Sequence, residues 1–241
     1  PKKPFFIFNF FESPHARYYF PTSAVIRTNY LKEFNYARMD VDAFKRDIEG
    51  IRNRYINSVH ALDMNLAPLW KYLEEHQIRD NTVVIFTGDH GEEFMEKGRW
   101  GHNSEFVNEQ VQPPLVIWVP GHAPAVDNRL SAHMDLTATL MPLLGVQNPA
   151  TDYSFGFSLV ENPARKFTII SDWDRAAYVD EEVKITVPMS VKGFFRQRVT
   201  DFNDQPVTNS AAILDQKKPE MIELMKEITR FYRKKSAATA K

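Results

Sequence analysis

Four short apolar runs constrain the fold of this chain more than any other feature. They cover residues 5–11, 83–87, 115–119 and 167–171, and each contains β-branched and aromatic residues with little alternation of polar and apolar positions. Runs of this length and pattern are typical of strands that are covered on both faces. They predict a sheet that lies between layers of helices.

Two helical patterns separate and follow these runs. One long helix is indicated by apolar residues that recur at steps of three and four, namely Tyr55, Val59, Leu62, Leu66, Leu69 and Leu73. Pro68 should kink or divide this helix. A second helix should be capped by Asp135 and ended by Gly145, with Pro142 near its end. The alternation of strands and helices predicts an α/β fold, with a mostly parallel sheet flanked by helices.

The chain changes in character after residue 172. Residues 177–179, 183–187 and 194–199 form short segments between polar and turn residues, which favours a small antiparallel β segment. A C-terminal helix is predicted over residues 219–232, with an apolar face made of Met221, Leu224, Met225, Ile228 and Phe231. We therefore expect residues 1–171 to form an α/β core. Residues 172–241 should add antiparallel strands and a closing helix to the same domain.

The composition excludes several functional classes. The 241 residues include 30 basic and 31 acidic side chains, without a dense Lys/Arg block, so nucleic acid is not an expected partner. The absence of cysteine excludes disulfides, thiolate metal sites and a cysteine nucleophile within these residues. No apolar run approaches the roughly 20 residues of a membrane helix. Because the sequence opens directly on an apolar run without a methionine, we expect it to be a piece of a longer protein.

A carboxylate and an imidazole stand side by side where the second apolar run ends. Asp89 and His90 follow the run 83–87 after a single glycine, and Gly91 would let the chain turn so that both side chains reach one point. Functional groups gather beyond the carboxyl ends of strands in open α/β sheets. This ligand pair suits zinc or manganese, while magnesium and calcium are less favoured by imidazole. The alternative is that Asp89 caps the turn and His90 has only a structural role.

Two further histidines follow strands or turns in the same way. His15 lies in Glu-Ser-Pro-His-Ala after the run 5–11, and His102 follows Gly101 in a loop rich in charged residues. Glycine permits a close approach of the backbone to a ligand, and an imidazole can donate to an oxyanion. The alternative for each of them is a solvated loop histidine. The functional hypothesis predicts that His15, Asp89, His90 and His102 share one cavity.

The combined motifs resemble the alkaline phosphatase and sulfatase superfamily. The similarity rests on TVVIFTGDHGE and GRWGH, on SPHA and YINSVHALDMNLAPLWKYLEEHQIRDNT before them, and on SAHMDLTATLMPLLGV after them. It covers most of residues 4–150 and corresponds to the second half of that superfamily's core. Within it, the sequence is similar to the sulfatase-like periplasmic domain of Gram-negative inner-membrane proteins that regulate lipopolysaccharide. Those proteins are related to phosphoethanolamine and lipoteichoic acid transferases.

The resemblance implies a fold, a chemistry and a location. It implies an alkaline phosphatase-like core that lacks its N-terminal half, with Asp89 and His90 as metal ligands and His15 and His102 as ligands of phosphate or sulfate oxygens. The full-length protein would be a hydrolase or transferase of phosphate or sulfate esters or of lipid head groups, anchored at the periplasmic face of the inner membrane. The nucleophile would lie upstream, so these residues alone should be inactive. The alternative is a catalytically silent domain that senses lipopolysaccharide or binds protein partners.

Other candidate residues have mainly structural interpretations. Thr22 and Ser23 lie in PTSAVIR, which is similar to a sulfatase nucleophile motif but has isoleucine in place of its second proline and follows SPHA instead of preceding it. A surface loop is the better interpretation, with Tyr18, Tyr19 and Phe20 as packing or substrate-edge residues. We expect His133 and Asp135 to cap the second helix, and His60 and Asp63 to form a polar edge of the long helix. Nucleotide-binding glycine motifs and a serine-hydrolase motif are absent from the sequence.

Overall fold

The computed structural model describes residues 3–161, 165–189 and 197–230. In this part of the chain, the helices are α1 (Val41–Glu75), α2 (Asn108–Val111), α3 (Met134–Leu143) and α4 (Ser210–Arg230). The strands are β1 (Val84–Thr87), β2 (Glu93–Phe94), β3 (Trp100–Gly101), β4 (Leu115–Trp118), β5 (Thr168–Ser171), β6 (Arg175–Val179), β7 (Val183–Pro188) and β8 (Arg198–Asp201). The chain divides into two compact units, one of Pro1–Glu105 with Gln112–Pro124 and the other of Phe106–Val111 with Ala125–Lys241. No described helix is both long enough and apolar enough to cross a membrane.

The long helix α1 begins at a conventional cap and runs unbroken for 35 residues. Asp40 accepts a hydrogen bond from the amide of Ala43 at 2.8 Å, which satisfies one of the free amides at the helix start. Pro68, which the sequence predicts to kink or divide the helix, lies inside α1, so the helix is not divided there. A proline removes a single hydrogen bond, which the rest of a long helix can tolerate.

The buried face of α1 differs from the predicted apolar face. Val59 is exposed and Leu62, Leu66 and Leu69 are half-buried, whereas the buried residues are Ile51, Arg54, Asn57, Ser58, Ala61 and Leu73. Several of these buried side chains are polar. They can be buried because they form hydrogen bonds with backbone groups of the preceding loop. Asn57 Oδ1 accepts from the amides of Ile26 and Arg27 at 3.0 and 2.8 Å, and its Nδ2 donates to the Arg27 carbonyl at 2.9 Å. Hydrogen bonds of this kind allow a polar group to be buried.

Strands β1 and β4 form where two of the apolar runs predict them, but their direction differs from the prediction. They pair antiparallel, with Val84 opposite Trp118 and Thr87 opposite Leu115. Every strand pair among the described residues is antiparallel, so the mostly parallel arrangement is not observed there. A parallel pair needs a crossover, usually a helix of a dozen or more residues. The connection from β1 to β4 instead holds the hairpin β2–β3 and the four-residue helix α2.

The first apolar run is not a strand. Residues 5–11 form neither helix nor strand, and Phe6, Phe8 and Phe10 are 78%, 77% and 76% exposed. The prediction of a buried strand over these residues is therefore wrong for the described structure. An apolar pattern indicates which residues favour burial, but a strand also needs a neighbouring strand to pair its backbone groups.

The second unit contains the predicted antiparallel segment. Strands β5, β6, β7 and β8 form a sheet in that order with antiparallel neighbours, which confirms the meander predicted at 177–179 and 183–187. Of the predicted segment 194–199, residues 194–196 lie outside the described residues and the remainder overlaps β8. The run 167–171 corresponds to β5, which pairs with β6, so the predicted boundary between residues 171 and 172 falls inside this sheet.

The core of this sheet is covered by α4. Tyr178, Ile185 and Val199 from the sheet and Leu224 from α4 belong to one buried cluster. The helix begins at Ser210, nine residues before the predicted start, and contains Pro219. Residues 231 and 232 of the predicted helix, and the side chains of Ile228 and Phe231, lie outside the described part of the chain.

Lysine–aspartate ion pairs lie in the second unit. Lys184 Nζ lies 2.5 Å from Asp204 Oδ1, and both side chains are 3% exposed. Lys217 Nζ lies 2.6 Å from Asp180 Oδ2. Burial raises the pKa of Asp180, but hydrogen bonds from Lys217 and from two backbone amides outweigh burial and hold that pKa below its ordinary value.

Helix α3 ends as predicted but begins differently. Gly145 has φ +87°, a left-handed conformation that glycine adopts easily, and its amide donates to the Pro142 carbonyl at 2.9 Å. His133 stands at the N-cap position without a side-chain cap hydrogen bond. Asp135 lies within the first turn, where its Oδ2 accepts from the amide of Ala132 and its Oδ1 binds Arg165. The expectation that His133 and Asp135 cap α3 is therefore wrong, because the Asp135 carboxylate binds groups outside the helix.

Candidate active site

The Asp-His pair lies one residue after the end of β1, where the strand is followed by a loop. Asp89 Oδ1 accepts a hydrogen bond from the His90 amide at 3.1 Å, and its Oδ2 lies 3.7 Å from His90 Nε2. His90 Nδ1 lies 2.9 Å from the Gly91 carbonyl oxygen. A carbonyl oxygen only accepts, so Nδ1 carries a proton and Nε2 is the nitrogen with a free lone pair. The turn thus presents one carboxylate oxygen and one imidazole nitrogen together.

A short hairpin brings the next two site residues face to face. In the pairing of β2 with β3, Glu93 is opposite Gly101, so Glu92 and His102 occupy the next opposed positions of the ladder. Their side chains meet, with His102 Nδ1 at 2.7 Å from Glu92 Oε2. Gly101 has φ +99°, and a Cβ added there would have nothing within 4 Å beyond its chain neighbours. This left-handed backbone conformation favours glycine, and the space beside its Cα is open.

His15 completes a group of three imidazoles. Its ring centroid lies 5.8 Å from that of His102, and the His102 centroid lies 4.0 Å from that of His90. His15 is exposed, and its Nδ1 lies 2.9 Å from the Ala16 carbonyl oxygen. By the same reasoning as for His90, its Nε2 remains available. The structure therefore brings His15, Asp89, His90 and His102 to one place, with Glu92 among them.

The segment that carries His15 is held by buried groups. Tyr18 donates its amide to the His15 carbonyl at 2.8 Å, which closes a turn between the two residues. The Tyr18 hydroxyl donates to Glu92 Oε1. Arg54 of α1 donates to the carbonyls of Arg17, Leu31 and Lys32 at 2.8–3.3 Å. The position of His15 is therefore fixed from α1 as well as from the hairpin.

The carboxylate of Glu92 influences the protonation of its neighbours. Its hydrogen bond raises the pKa of His102 above the ordinary value, and burial only partly opposes this effect. Burial, followed by the charge of Glu92, raises the pKa of Tyr18, so its hydroxyl remains a donor over the whole physiological range. Glu92 thus favours the protonated form of His102, whose Nε2–H can donate to an anionic oxygen.

The donor set fits a divalent metal ion. Two ligands that each lie about 2.1 Å from one zinc ion can be at most about 4.2 Å apart, and Asp89 Oδ2 and His90 Nε2 meet this limit at 3.7 Å. A second set is formed by His90, Glu92 and His102, whose ligand atoms lie within 4.8 Å of one another. Both sets combine imidazole with carboxylate, which suits zinc or manganese.

The remaining candidate residues have other roles in the structure. Thr22 and Ser23 lie in an exposed 3₁₀ turn, Thr22–Ala24. His60 Nδ1 lies 2.9 Å from the Ala24 carbonyl oxygen, while Asp63 is exposed on α1. Sequence reasoning does not identify Glu92 as a site residue. The sequence offers one indication of its role. Glu92 lies two residues after His90 and just before the hairpin β2–β3, and His102 lies just after that hairpin.

Comparison with known proteins agrees with these motifs. A sequence model of the sulfatase family matches residues 1–146. The choline-sulfatase of Rhizobium meliloti (strain 1021) is 30% identical over 123 residues, which are 49% of this chain and 23% of that protein. The multifunctional alkaline phosphatase superfamily protein PehA of Trinickia caryophylli is 31% identical over 109 residues, 43% of this chain and 20% of that protein. The chain thus spans about a quarter or less of the length of these relatives.

A solved structure shows which known fold this chain resembles. The phosphonate monoester hydrolase of Silicibacter pomeroyi matches with a TM-score of 0.68 at 19% identity, over 80% of this chain and 44% of that chain. This likeness confirms the predicted alkaline phosphatase-like α/β fold.

Proposed function

This chain belongs to the sulfatase family, and we propose that it forms part of a metal-dependent hydrolase or transferase of sulfate or phosphate esters. The observation that carries the proposal is the convergence of three imidazoles with the Asp89 carboxylate at the end of β1. Relatives that are named as a choline-sulfatase and as a multifunctional alkaline phosphatase superfamily protein support this class of substrate.

Each residue has a role that its geometry suits. Asp89 and His90 would hold the divalent ion, with zinc or manganese favoured over magnesium and calcium. When bound, such an ion neutralises charge on the ester oxygens and activates a nucleophile. His15 and His102, as imidazolium groups, would donate from Nε2–H to the remaining oxygens of the sulfate or phosphate group, which carries spread negative charge during transfer. The proposal assigns no nucleophile to the described residues, and we expect it upstream of residue 1 in the full-length protein.

A narrower proposal concerns lipid head groups. The motifs SPHA and TGDHGE resemble those of phosphoethanolamine and lipoteichoic acid transferases and of lipopolysaccharide-regulating proteins. On this basis, we propose that the full-length protein is anchored in the inner membrane and works at its periplasmic face. Its ester would then be a phospholipid head group or a related lipid.

The second candidate function is a regulator without catalytic activity. In this case the fold would serve to bind lipopolysaccharide or a protein partner, as the resemblance to lipopolysaccharide-regulating proteins suggests. The residue at the nucleophile position separates the two functions. Threonine, serine or a modifiable cysteine at that position supports the enzyme, and any other residue supports the regulator.

Metal binding and ester turnover by the full-length protein test the proposal. We expect zinc or manganese to bind with one ion per site in calorimetric titrations, and an aryl sulfate or an aryl phosphate to be hydrolysed. His90→Ala should abolish both. His122→Ala is the matched control, because His122 lies exposed with its Nδ1 near the Pro120 carbonyl. The proposal fails if no metal binds, or if His90→Ala and His122→Ala behave alike.

A further inference from the structure

Glu92 lies between a tyrosine and a histidine and uses one carboxylate oxygen for each. The Tyr18 hydroxyl donates to Oε1, and Nδ1 of His102 lies 2.7 Å from Oε2. The Glu92 side chain is only 10% exposed. An ionised carboxylate has no proton to donate, so Nδ1 of His102 carries the proton in this contact. Nε2 is then the nitrogen of His102 that can contact another group.

Tyr18 is held so firmly that it can act as an anchor for Glu92. It is fully buried, its ring stacks on Phe34 at a centroid distance of 5.5 Å, and the ring of Tyr55 meets it edge-on at 5.5 Å. Its backbone has φ +55°, which is uncommon for a residue other than glycine. Such a conformation persists only where the surroundings fix it, and it is concentrated near functional sites.

We propose that Glu92 and Tyr18 are positioning residues for His102. Glu92 accepts from Nδ1–H and thereby fixes the rotation of the imidazole, so that the Nε2–H of the imidazolium faces the position of the ester oxygen, and Tyr18 fixes Glu92. The inference rests on the proposed function only for the identity of the group that His102 contacts. The same turn connects Tyr18 to His15 through the hydrogen bond from the Tyr18 amide to the His15 carbonyl. The buried Tyr18 thus helps to position both imidazoles, His102 through Glu92 and His15 through the backbone hydrogen bond.

The competing assignment makes Glu92 a metal ligand together with His90 and His102. The two assignments predict opposite effects on metal affinity. As a ligand, Glu92 would be as important for zinc binding as Asp89. As a positioning residue, it can be replaced without loss of zinc, because its two oxygens are engaged by Tyr18 and His102.

The test uses Glu92→Gln and Tyr18→Phe in the full-length protein. Both substitutions preserve side-chain shape, and circular dichroism verifies that the variants fold. Tyr55→Phe is the matched control, because it removes a hydroxyl from the same aromatic cluster and leaves the hydrogen bond from Tyr18 to Glu92 in place. Long-range ¹H–¹⁵N spectra of the imidazole give the tautomer of His102 at a pH where the ring is neutral. Calorimetry gives the zinc affinity.

We expect the proton of His102 to lie on Nδ1 in the unmodified protein and in Tyr55→Phe. In Glu92→Gln it should move largely to Nε2, and Tyr18→Phe should shift it in the same direction by a smaller amount. Zinc affinity should be unchanged in both variants, and kcat for ester turnover should fall roughly 10- to 100-fold in Glu92→Gln.

Two results would overturn the proposal. One is an unchanged tautomer in Glu92→Gln, and the other is a loss of zinc affinity as large as that of Asp89→Asn. A full-length protein without zinc binding or ester turnover would refute the proposed function instead. The tautomer measurement would still decide whether Glu92 and Tyr18 position His102.

Discussion

Asn57→Ala removes three hydrogen bonds that join α1 to the loop before it. The side chain is fully buried and binds two backbone amides and one carbonyl of Ile26 and Arg27 at 2.8–3.0 Å. One hydrogen bond contributes about 1 kcal/mol net, so the loss of three should lower the free energy of unfolding by about 3 kcal/mol. Alanine cannot replace any of the three, and the packed surroundings of Asn57 limit the access of water.

Equilibrium denaturation followed by tryptophan fluorescence measures this loss. Trp100 belongs to the aromatic cluster of the first unit and reports on its unfolding. Asn65→Ala is the control, because Asn65 is exposed on the same helix. Alanine has the higher helix propensity, so this variant should differ from the unmodified protein by no more than about 0.5 kcal/mol. A loss below about 1 kcal/mol for Asn57→Ala would refute the assignment of Asn57 as the anchor of this loop.

Three further predictions concern the second unit. Lys184→Met should destabilise the protein by about 3–5 kcal/mol, because Asp204 stays buried when its ammonium partner is removed. Lys184→Met combined with Asp204→Leu should recover most of this loss in denaturation midpoints. The Lys217–Asp180 pair stabilises the fold fully above about pH 4 and loses this effect as pH falls through the lowered pKa of Asp180. Lys217→Met should therefore destabilise less at low pH than at pH 7. Gly156→Ala should lower the stability by about 3 kcal/mol in thermal unfolding, because its Cβ would overlap the backbone carbonyl of Met134 in α3.

The sequence predicts those parts of the fold that local chemistry decides. β1 spans Val84–Thr87 within the predicted run 83–87, because a β-branched apolar run favours a strand and the polar Asp89 and His90 end it. The end of α3 is predictable for a similar reason, since Gly145 adopts φ +87° without the steric penalty of a side chain. The sequence can therefore indicate Asp89 and His90 as candidate site residues, because they follow the end of β1.

The direction of strand pairing is not encoded in such local patterns. A run that is apolar at every position favours burial on both faces, but it does not specify which strand lies beside it or in which direction that strand runs. β1 and β4 show this limit, because their positions are predicted and their antiparallel pairing is not. Residues 5–11 show the same limit more strongly, since they are mostly apolar but form no strand, and their side chains are exposed.

The contact between Glu92 and His102 depends on a hairpin too short to detect from periodicity. β2 and β3 have two residues each, whereas a period-2 pattern needs several positions before it can be recognised. The turn between them is stabilised by Glu93, a fully buried carboxylate that accepts from the amides of Lys97 and Arg99 at 3.0 and 2.8 Å. In the sequence, Glu93 is one of several charged residues in a loop. Its role follows only from the folded backbone.

The candidate site depends on two separate supports, and this separation has a consequence for its stability. Asp89 and His90 are positioned by β1 and by hydrogen bonds within their own turn. His15 depends instead on α1, through Arg54, and on the anchor of Tyr18 at Glu92. Because Arg54 binds the carbonyls of Arg17, Leu31 and Lys32 and not the Asp-His turn, loosening the loop from α1 should displace His15 before it disturbs the Asp-His pair. Metal binding should therefore survive substitutions in α1 that already weaken the binding of the ester.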